Sequence, residues 1–405
     1  MSKGCERTLL VAMDCLNTIT WIFMNTFLVA YFFNAAAQDV TLVSFYFMVL
    51  YGTTLGLAII AGPMIKAGYR LMLYRLGIVL NFFALAWIMF AGEKIIYHIT
   101  VCGLLLGSAT ALKSFTWKLM VSDTVSKKKI IKFRRFSNTI KGIVKITAPV
   151  LMGYFLTVES MGRLILFLLC LTATQWCISM FMKQPKIEPK GWFDLKTYFK
   201  KTRSDKTLKS IYIMEFFNGV SLSGVLNTVI TLYIIYLFQT DFQLGIIISV
   251  FNGISGLSYF IFSKYCTYKR LGNLICGGVL SFVTAAVMFV LIPDKGTFIV
   301  YNFCFVSIVK IVTLIYENNM VNAADSRRIS GSIKSEHFVV RQIFLNLGRV
   351  FSFALLTIGG FAWGFPVLKY YLVALSVLMS AMGLMAYLLN LRLEDNNPTE
   401  LVAVK

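Results

Sequence analysis

Twelve long apolar stretches run through this chain of 405 residues, and they constrain its fold more than any other feature. They cover 8–33, 40–62, 71–91, 95–119, 137–158, 162–182, 209–238, 243–263, 272–292, 297–320, 338–361 and 367–390, here spans 1 to 12. A helix needs about 20 predominantly apolar residues to cross the hydrocarbon of a bilayer. A barrel strand needs about 10 and alternates apolar with polar, which these stretches do not. The sequence therefore predicts an all-α membrane protein with twelve transmembrane helices.

Composition agrees. Apolar residues are 58% of the chain and charged residues only 14%, where a soluble domain carries about 25%. That balance excludes an ordinary soluble enzyme. The net charge of +21 could suggest nucleic acid. Its placement argues otherwise, because most basic residues lie in short loops on alternate sides of the spans. The expected partners are the lipid bilayer and a small molecule, with no nucleic acid. The eight cysteines form no CxxC pair and most lie in apolar runs. They read as small buried apolar residues rather than disulfides or ligands. His98 and His337 are the only histidines, so no metal or cofactor is expected.

Lys3 and Arg7 precede the first span, and Ala35-Ala36-Ala37 follows it in the manner of a cleavage site. The stretch is longer than a signal h-region and carries Asp14, Asn17 and Asn25. A retained first span is expected.

The loops set an orientation. Lys66, Arg70 and Arg75 fall between spans 2 and 3, and six basic residues from Lys127 to Arg135 fall between spans 4 and 5. Lys264, Lys269 and Arg270 follow span 8, and Arg327, Arg328 and Lys334 follow span 10. The other side holds only Lys94, Arg163, Lys295 and Lys369. The positive-inside rule puts both termini in the cytoplasm.

A polar linker, 183–208, divides the chain into two sets of six spans. The expected domains are a six-helix bundle over 1–182, the cytoplasmic linker, and a second bundle over 209–405. Trp192, Leu195 and Phe199 recur at helical spacing among lysines. The linker is then either a helix along the membrane surface or a solvated tether. The halves repeat: Asp14-x-x-Asn17 answers Glu215-x-x-Asn218, Asn25 answers Asn227, and Gly56 and Gly77 answer Gly256 and Gly277. Asp123 and Phe136 answer Asp325 and Phe338. The offset stays at 200–202 throughout. Pseudo-symmetric six-span halves of this kind build secondary transporters.

Twelve spans, a six-plus-six repeat and a basic central linker resemble the major facilitator superfamily over nearly the whole chain. The span 2–3 loop, Gly62-Pro63-Met64-Ile65-Lys66-Ala67-Gly68-Tyr69-Arg70, is similar to that family's glycine-and-arginine loop. It has Lys66 at the acidic position and is one residue short. Ala148-Pro149-x-x-x-Gly153 in span 5 loosely resembles the antiporter signature of drug-export members, although a proline in a membrane helix also supplies a plain bend. The segments Phe115–Pro149 and Phe338–Arg349 are similar to a bacterial branch that implies no particular substrate. The resemblance implies a secondary transporter of the cytoplasmic membrane, a monomer, working by alternating access. A coupling proton or other cation is implied, since no GxxxxGK[ST] loop is present.

Charges within the spans are the functional signal, because a charge in the bilayer is kept only where it faces protein or water. They fall on spans 1, 4, 5, 7, 10 and 11, and spans 3, 6, 9 and 12 have none inside. In the resembled family spans 3, 6, 9 and 12 are the outer supports. Asp14, Lys118, Lys141, Glu215, Glu317 and Arg341 lie within about two turns of the cytoplasmic helix ends. They read as a gate or coupling set, or as static pairs such as Asp14 with Lys141 or Lys118. Lys113, Lys145, Lys310 and Arg349 lie deeper and are all basic. They read as an anion site with Asn25 and Asn227 nearby. The alternative is that Lys113 and Lys145 snorkel while Lys310 pairs with Glu317. The first expected substrate is an organic anion, and export of a hydrophobic or amphipathic compound is second. A polytopic enzyme acting on lipid-linked substrates is a third reading, with Glu336 and His337 as its only candidate cluster.

Overall fold

The computed structural model describes residues 3–125, 127–183, 192–222, 224–265, 268–326 and 334–395. Side chains in a few helix ends also lie outside the description, among them Asp123, Asp325, Lys264, Lys334 and the basic residues of 127–135. The repeat match of Asp123 with Asp325 and much of the loop charge pattern therefore lie outside the described residues.

Every described segment of regular structure is helical. Lipid offers no partner for a backbone N–H, so each span closes its own hydrogen bonds. Among the described residues eleven helical stretches are long and apolar enough to cross a membrane. One of them, Arg70–Val121, holds spans 3 and 4 joined by a 3-10 turn at Gly92–His98, so twelve crossings result. Several helices overrun the apolar stretches that mark them. Span 5 runs over Lys127–Val158, span 10 over Lys295–Ser326 and span 11 over Lys334–Trp363. Hydropathy marks where a helix is in lipid, not where its backbone stops being helical.

The chain forms two compact units. The first contains Met1–Phe193, Thr231–Ser249 and Phe353–Phe365; the second contains Asp194–Ile230, Val250–Ser352 and Pro366–Lys405. The cut after Phe193 falls inside the 183–208 linker. The inclusion of the ends of spans 7, 8 and 11 in the first unit has no counterpart in a simple division at the linker.

Small residues set the helix crossings of the first unit, as is usual where lipid tails are as apolar as the side chains. A Cβ at Gly107 of span 4 would lie 2.5 Å from the Leu50 carbonyl oxygen of span 2. Thr54 Oγ1 donates to the Gly107 carbonyl at 3.2 Å across the same crossing. Spans 5 and 8 meet as closely. A Cβ at Gly153 would fall 2.6 Å from the Asp241 carbonyl oxygen, and one at Gly245 would fall 2.3 Å from that of Pro149. The Ala148-Pro149-x-x-x-Gly153 segment thus builds a helix crossing. Arg75 Nη2 donates to the Ser179 carbonyl at 2.7 Å, a cation at the C-terminus of span 6. Aromatic rings close the far ends of these helices, with Phe353 stacked on Phe47 at 4.9 Å and Phe365 on Tyr236 at 4.2 Å.

The span 2–3 loop turns through Gly68, at φ +96°, a conformation that favours glycine. Arg70 is buried and donates from Nε to the Ile65 carbonyl at 3.3 Å. Lys66 Nζ donates to the Trp192 carbonyl at 2.7 Å, and Gly62 leaves room for the Phe193 ring.

In the second unit, the helix Leu195–Thr202 follows, capped by Asp194, whose carboxylate accepts from the Lys196 and Thr197 amides. Hydrogen bonds from Thr197 hold that carboxyl below the usual aspartate value. Tyr198 and Thr202, one turn apart, form its buried face. Tyr198 Oη bonds His337 Nδ1 at 2.7 Å and also meets Tyr212 Oη. Part of the linker is therefore a docked helix rather than a solvated tether. Spans 10 and 12 pack through Asn319 Nδ2, which donates to the Ala386 carbonyl at 2.6 Å, and through Tyr301 Oη beside Ser376 Oγ at 3.1 Å.

Candidate functional site

Among the described residues the shallow charges form two ion pairs, one in each unit. In the first, Lys141 Nζ of span 5 lies 3.0 Å from Asp14 Oδ2 of span 1. Ser137, one turn before Lys141, donates its hydroxyl to the same oxygen at 3.0 Å. In the second, Arg341 of span 11 lies with Nη2 2.5 Å and Nε 2.6 Å from Glu215 Oε1 of span 7. Asp14 and Glu215 are 201 positions apart, and Lys141 and Arg341 are 200 apart. One device therefore recurs at the repeat offset: an acid on span 1 met by a base on span 5, and an acid on span 7 met by a base on span 11.

The two pairs differ in burial. Glu215 is 3% exposed, whereas Asp14 and Lys141 are partly open. A pair taken out of water holds only if its geometry and hydrogen bonding are good. Arg341 meets this by placing two guanidinium nitrogens on one carboxylate oxygen. Tyr316 of span 10 lies beside both charges. Of the remaining shallow residues, Lys118 and Glu317 are exposed.

Both acid-bearing spans are interrupted. Span 1 changes from α-helix to a π-helical turn at Phe23–Phe27, and span 7 does so at Asn218–Leu222. Such turns redirect side chains and are frequent at functional sites. Span 7 then turns at Gly224, at φ +106°. This break rotates the helix before Asn227, which is exposed. In span 1, Asn25 Nδ2 donates to the Trp21 carbonyl at 2.9 Å within the π turn. Lys145 of span 5 lies 6.0 Å over the Trp21 ring, at the limit of a cation–π contact.

Arg349 sits where spans 7 and 11 touch backbone to backbone. A Cβ at Gly219 would be 2.0 Å from the Leu345 carbonyl oxygen, and one at Gly348 would be 2.1 Å from that of Phe216. Only glycine fits at either position. Arg349 Nη1 donates to Asn346 Oδ1 at 2.9 Å, so its fork is held from its own helix. Lys310 of span 10 is half-buried. Among the described residues no ion pair joins it to Glu317. Lys113 takes a different place: it is 4% exposed and packs against Gly77 of span 3. The matched Gly277 has open space instead. Lys113 is thus part of the packing of spans 3 and 4, and snorkelling does not describe it.

Three residues and one contact carried no readable signal. Ser137, Tyr316 and Asn346 are ordinary residues of apolar spans, and the Gly219–Gly348 contact joins positions far apart in sequence. The Arg341 partner was legible in principle, because Lys141 and Arg341 share the repeat offset. Glu336 and His337 prove to be docking residues. Glu336 Oε1 accepts from the Asp194 amide at 3.4 Å, and His337 holds Tyr198. Among the described residues no three His, Cys, Asp or Glu side chains gather as metal ligands would.

Helical crossings of this length and apolarity define a multi-pass membrane protein, and its fold is that of solved membrane transporters. No protein-family model matches the sequence. The chain is 24% identical over 310 residues to the uncharacterized protein YqgE of Bacillus subtilis (strain 168), covering 72% of this chain and 68% of that protein. Solved structures agree on the fold. A bacterial homologue of the iron transporter ferroportin in an inward-facing state matches with a TM-score of 0.67 at 14% identity, over 96% of this chain and 100% of that one. The nucleoside transporter NupG (D323A mutant) matches at 0.68 and 13%, over 94% and 99%. The human organic anion transporter MFSD10 (TETRAN) matches at 0.63 and 11%, over 95% and 100%.

Proposed function

We propose that this protein is a secondary active transporter of the cytoplasmic membrane, moving a small organic anion by alternating access at the expense of an ion gradient. The repeated acid–base pair carries this reading. Asp14–Lys141 and Glu215–Arg341 tie the first and fifth helices of each half. Ion pairs between helices that slide or tilt are two-state elements, made in one arrangement and broken in the other. A carboxylate released from its base inside a low-dielectric site is a natural proton acceptor.

The anion is proposed to meet Arg349 and Lys310 in the second unit, with Asn227 of the same unit as a further polar contact. Arg349 offers a planar fork suited to a carboxylate or phosphate. The six-plus-six division at the linker, cytoplasmic termini and a monomeric state belong to the same proposal. The neighbours named for iron, nucleosides and organic anions share this fold at 11–14% identity, so the fold alone selects no substrate. A second reading, export of amphipathic compounds, draws on the span 5–8 crossing at Pro149 and Gly153, where the antiporter-like segment lies.

The test is a substrate screen in proteoliposomes with and without a pH gradient. Gradient-driven uptake of an organic anion is expected. Asp14→Asn or Glu215→Gln should abolish that uptake while leaving anion exchange measurable. Uptake that is selective for uncharged amphipathic compounds would favour the second reading. Unchanged pH dependence in both variants would remove the carboxylates from coupling.

A further inference from the structure

The second unit stacks three contacts along one pair of helices, spans 7 and 11. At the first level Tyr198 of the helix Leu195–Thr202 reaches both spans. Its Oη lies 2.7 Å from His337 Nδ1 of span 11 and also meets Tyr212 Oη of span 7. Tyr212 Oη itself lies 3.2 Å from the same nitrogen. One imidazole nitrogen thus joins the linker helix to both spans, and all three side chains are buried. Glu336, also buried, accepts from the Asp194 amide at 3.4 Å and holds the start of the linker helix on span 11.

The second level is one turn further on. Glu215 follows Tyr212 by three residues and Arg341 follows His337 by four, so each shares a helix face with its predecessor. These two form the buried ion pair. Phe344, three residues after Arg341, stacks on the Tyr212 ring at 5.3 Å and ties the two levels together. The third level is the contact of Gly219 and Gly348, where backbone meets backbone.

Helices pressed together at such a point tilt about it. Arg341 lies seven residues before Gly348 and His337 eleven, about 10 and 16 Å along the axis. A tilt of about 10° therefore moves the ion pair by about 2 Å and the tyrosine–histidine cluster by about 3 Å. Either displacement exceeds what a hydrogen bond tolerates. The two levels open together or stay closed together.

We propose that the helix Leu195–Thr202 is a clasp across spans 7 and 11, seated only while Glu215 and Arg341 are paired. The clasp rests on the reading of that pair as one that opens, and on no particular substrate. Coupling of this kind is reciprocal, so whatever draws Tyr198 from its seat biases the pair toward opening. The linker is then a control element rather than a mere connection.

The test is amide hydrogen exchange of the full chain in lipid nanodiscs, read over Leu195–Thr202. Arg341→Met breaks the pair, and the double variant Glu215→Gln, Arg341→Met removes it without leaving a bare charge. Both should raise exchange across the linker helix about tenfold or more over the wild type. Lys141→Met, which breaks the corresponding pair of the first unit, should leave the wild-type rate. Wild-type protection in the double variant would overturn the proposal, whatever the single variant does. An equal rise in Lys141→Met would overturn it too, because that marks general loosening. Transport by Glu215→Gln at the wild-type rate in proteoliposomes would instead remove the opening pair from transport, and exchange would still decide whether the clasp follows the pair.

Discussion

Arg341 embraces Glu215 with two guanidinium nitrogens on one carboxylate oxygen, at 2.5 and 2.6 Å. The same relationship recurs 200 residues earlier as Lys141 and Asp14. Removing one member of the buried pair leaves the other charge without compensation, which costs about 3 kcal/mol. Arg341→Met alone should therefore lower the melting temperature of the purified protein more than the double variant Glu215→Gln, Arg341→Met. The more open Lys141→Met should cost about 1 kcal/mol or less. A double-mutant cycle read by thermal unfolding measures both.

The crossing of spans 7 and 11 allows no side chain at its centre. Gly219→Ala and Gly348→Ala should each reduce the yield of folded, monodisperse protein sharply, because the new methyl meets backbone oxygen at 2.0 and 2.1 Å. Gly56→Ala is the control, since nothing lies within 4 Å of that position. It should be neutral or slightly stabilising through the loss of chain entropy in the unfolded state. Size-exclusion profiles of the three variants make the comparison.

Arg349 is expected to be the principal anion contact. Organic anions that raise the melting temperature of the wild-type protein should lose that effect in Arg349→Ala, while its unliganded melting temperature changes little. Arg349→Lys should retain the charge but lose the fork, weakening the effect about tenfold in apparent affinity. Equal stabilisation of all three proteins would move the site elsewhere.

Orientation is tested without a substrate. Reporter fusions after residue 395 and within 183–208 should both report cytoplasm, as the one-sided basic loops require. A periplasmic signal from either fusion reverses the assignment.

The linker offers one more comparison. Tyr198→Phe deletes the hydroxyl that binds His337 Nδ1 at 2.7 Å and keeps the ring. A lost buried hydrogen bond costs about 1 kcal/mol. Faster proteolysis at the exposed lysines of Leu195–Thr202 is expected, with the spans themselves intact.

Sequence alone determined the crossings, because a run of about 20 apolar residues has one stable state in lipid, a helix with its backbone bonds closed. It also determined which helices carry charge and that Asp14 and Glu215 correspond, since the repeat offset is a property of the chain. Tertiary structure alone decided the partners. Lys141 rather than Lys118 meets Asp14 because helix packing, not spacing along one helix, brings spans 1 and 5 together. Lys113 entered the packing against Gly77 because that glycine leaves room for its stem, while the matched Gly277 faces open space. The π turns at Phe23–Phe27 and Asn218–Leu222 were invisible for the same reason. Hydropathy records how apolar a helix is, and a single inserted residue changes where its side chains point without changing that record.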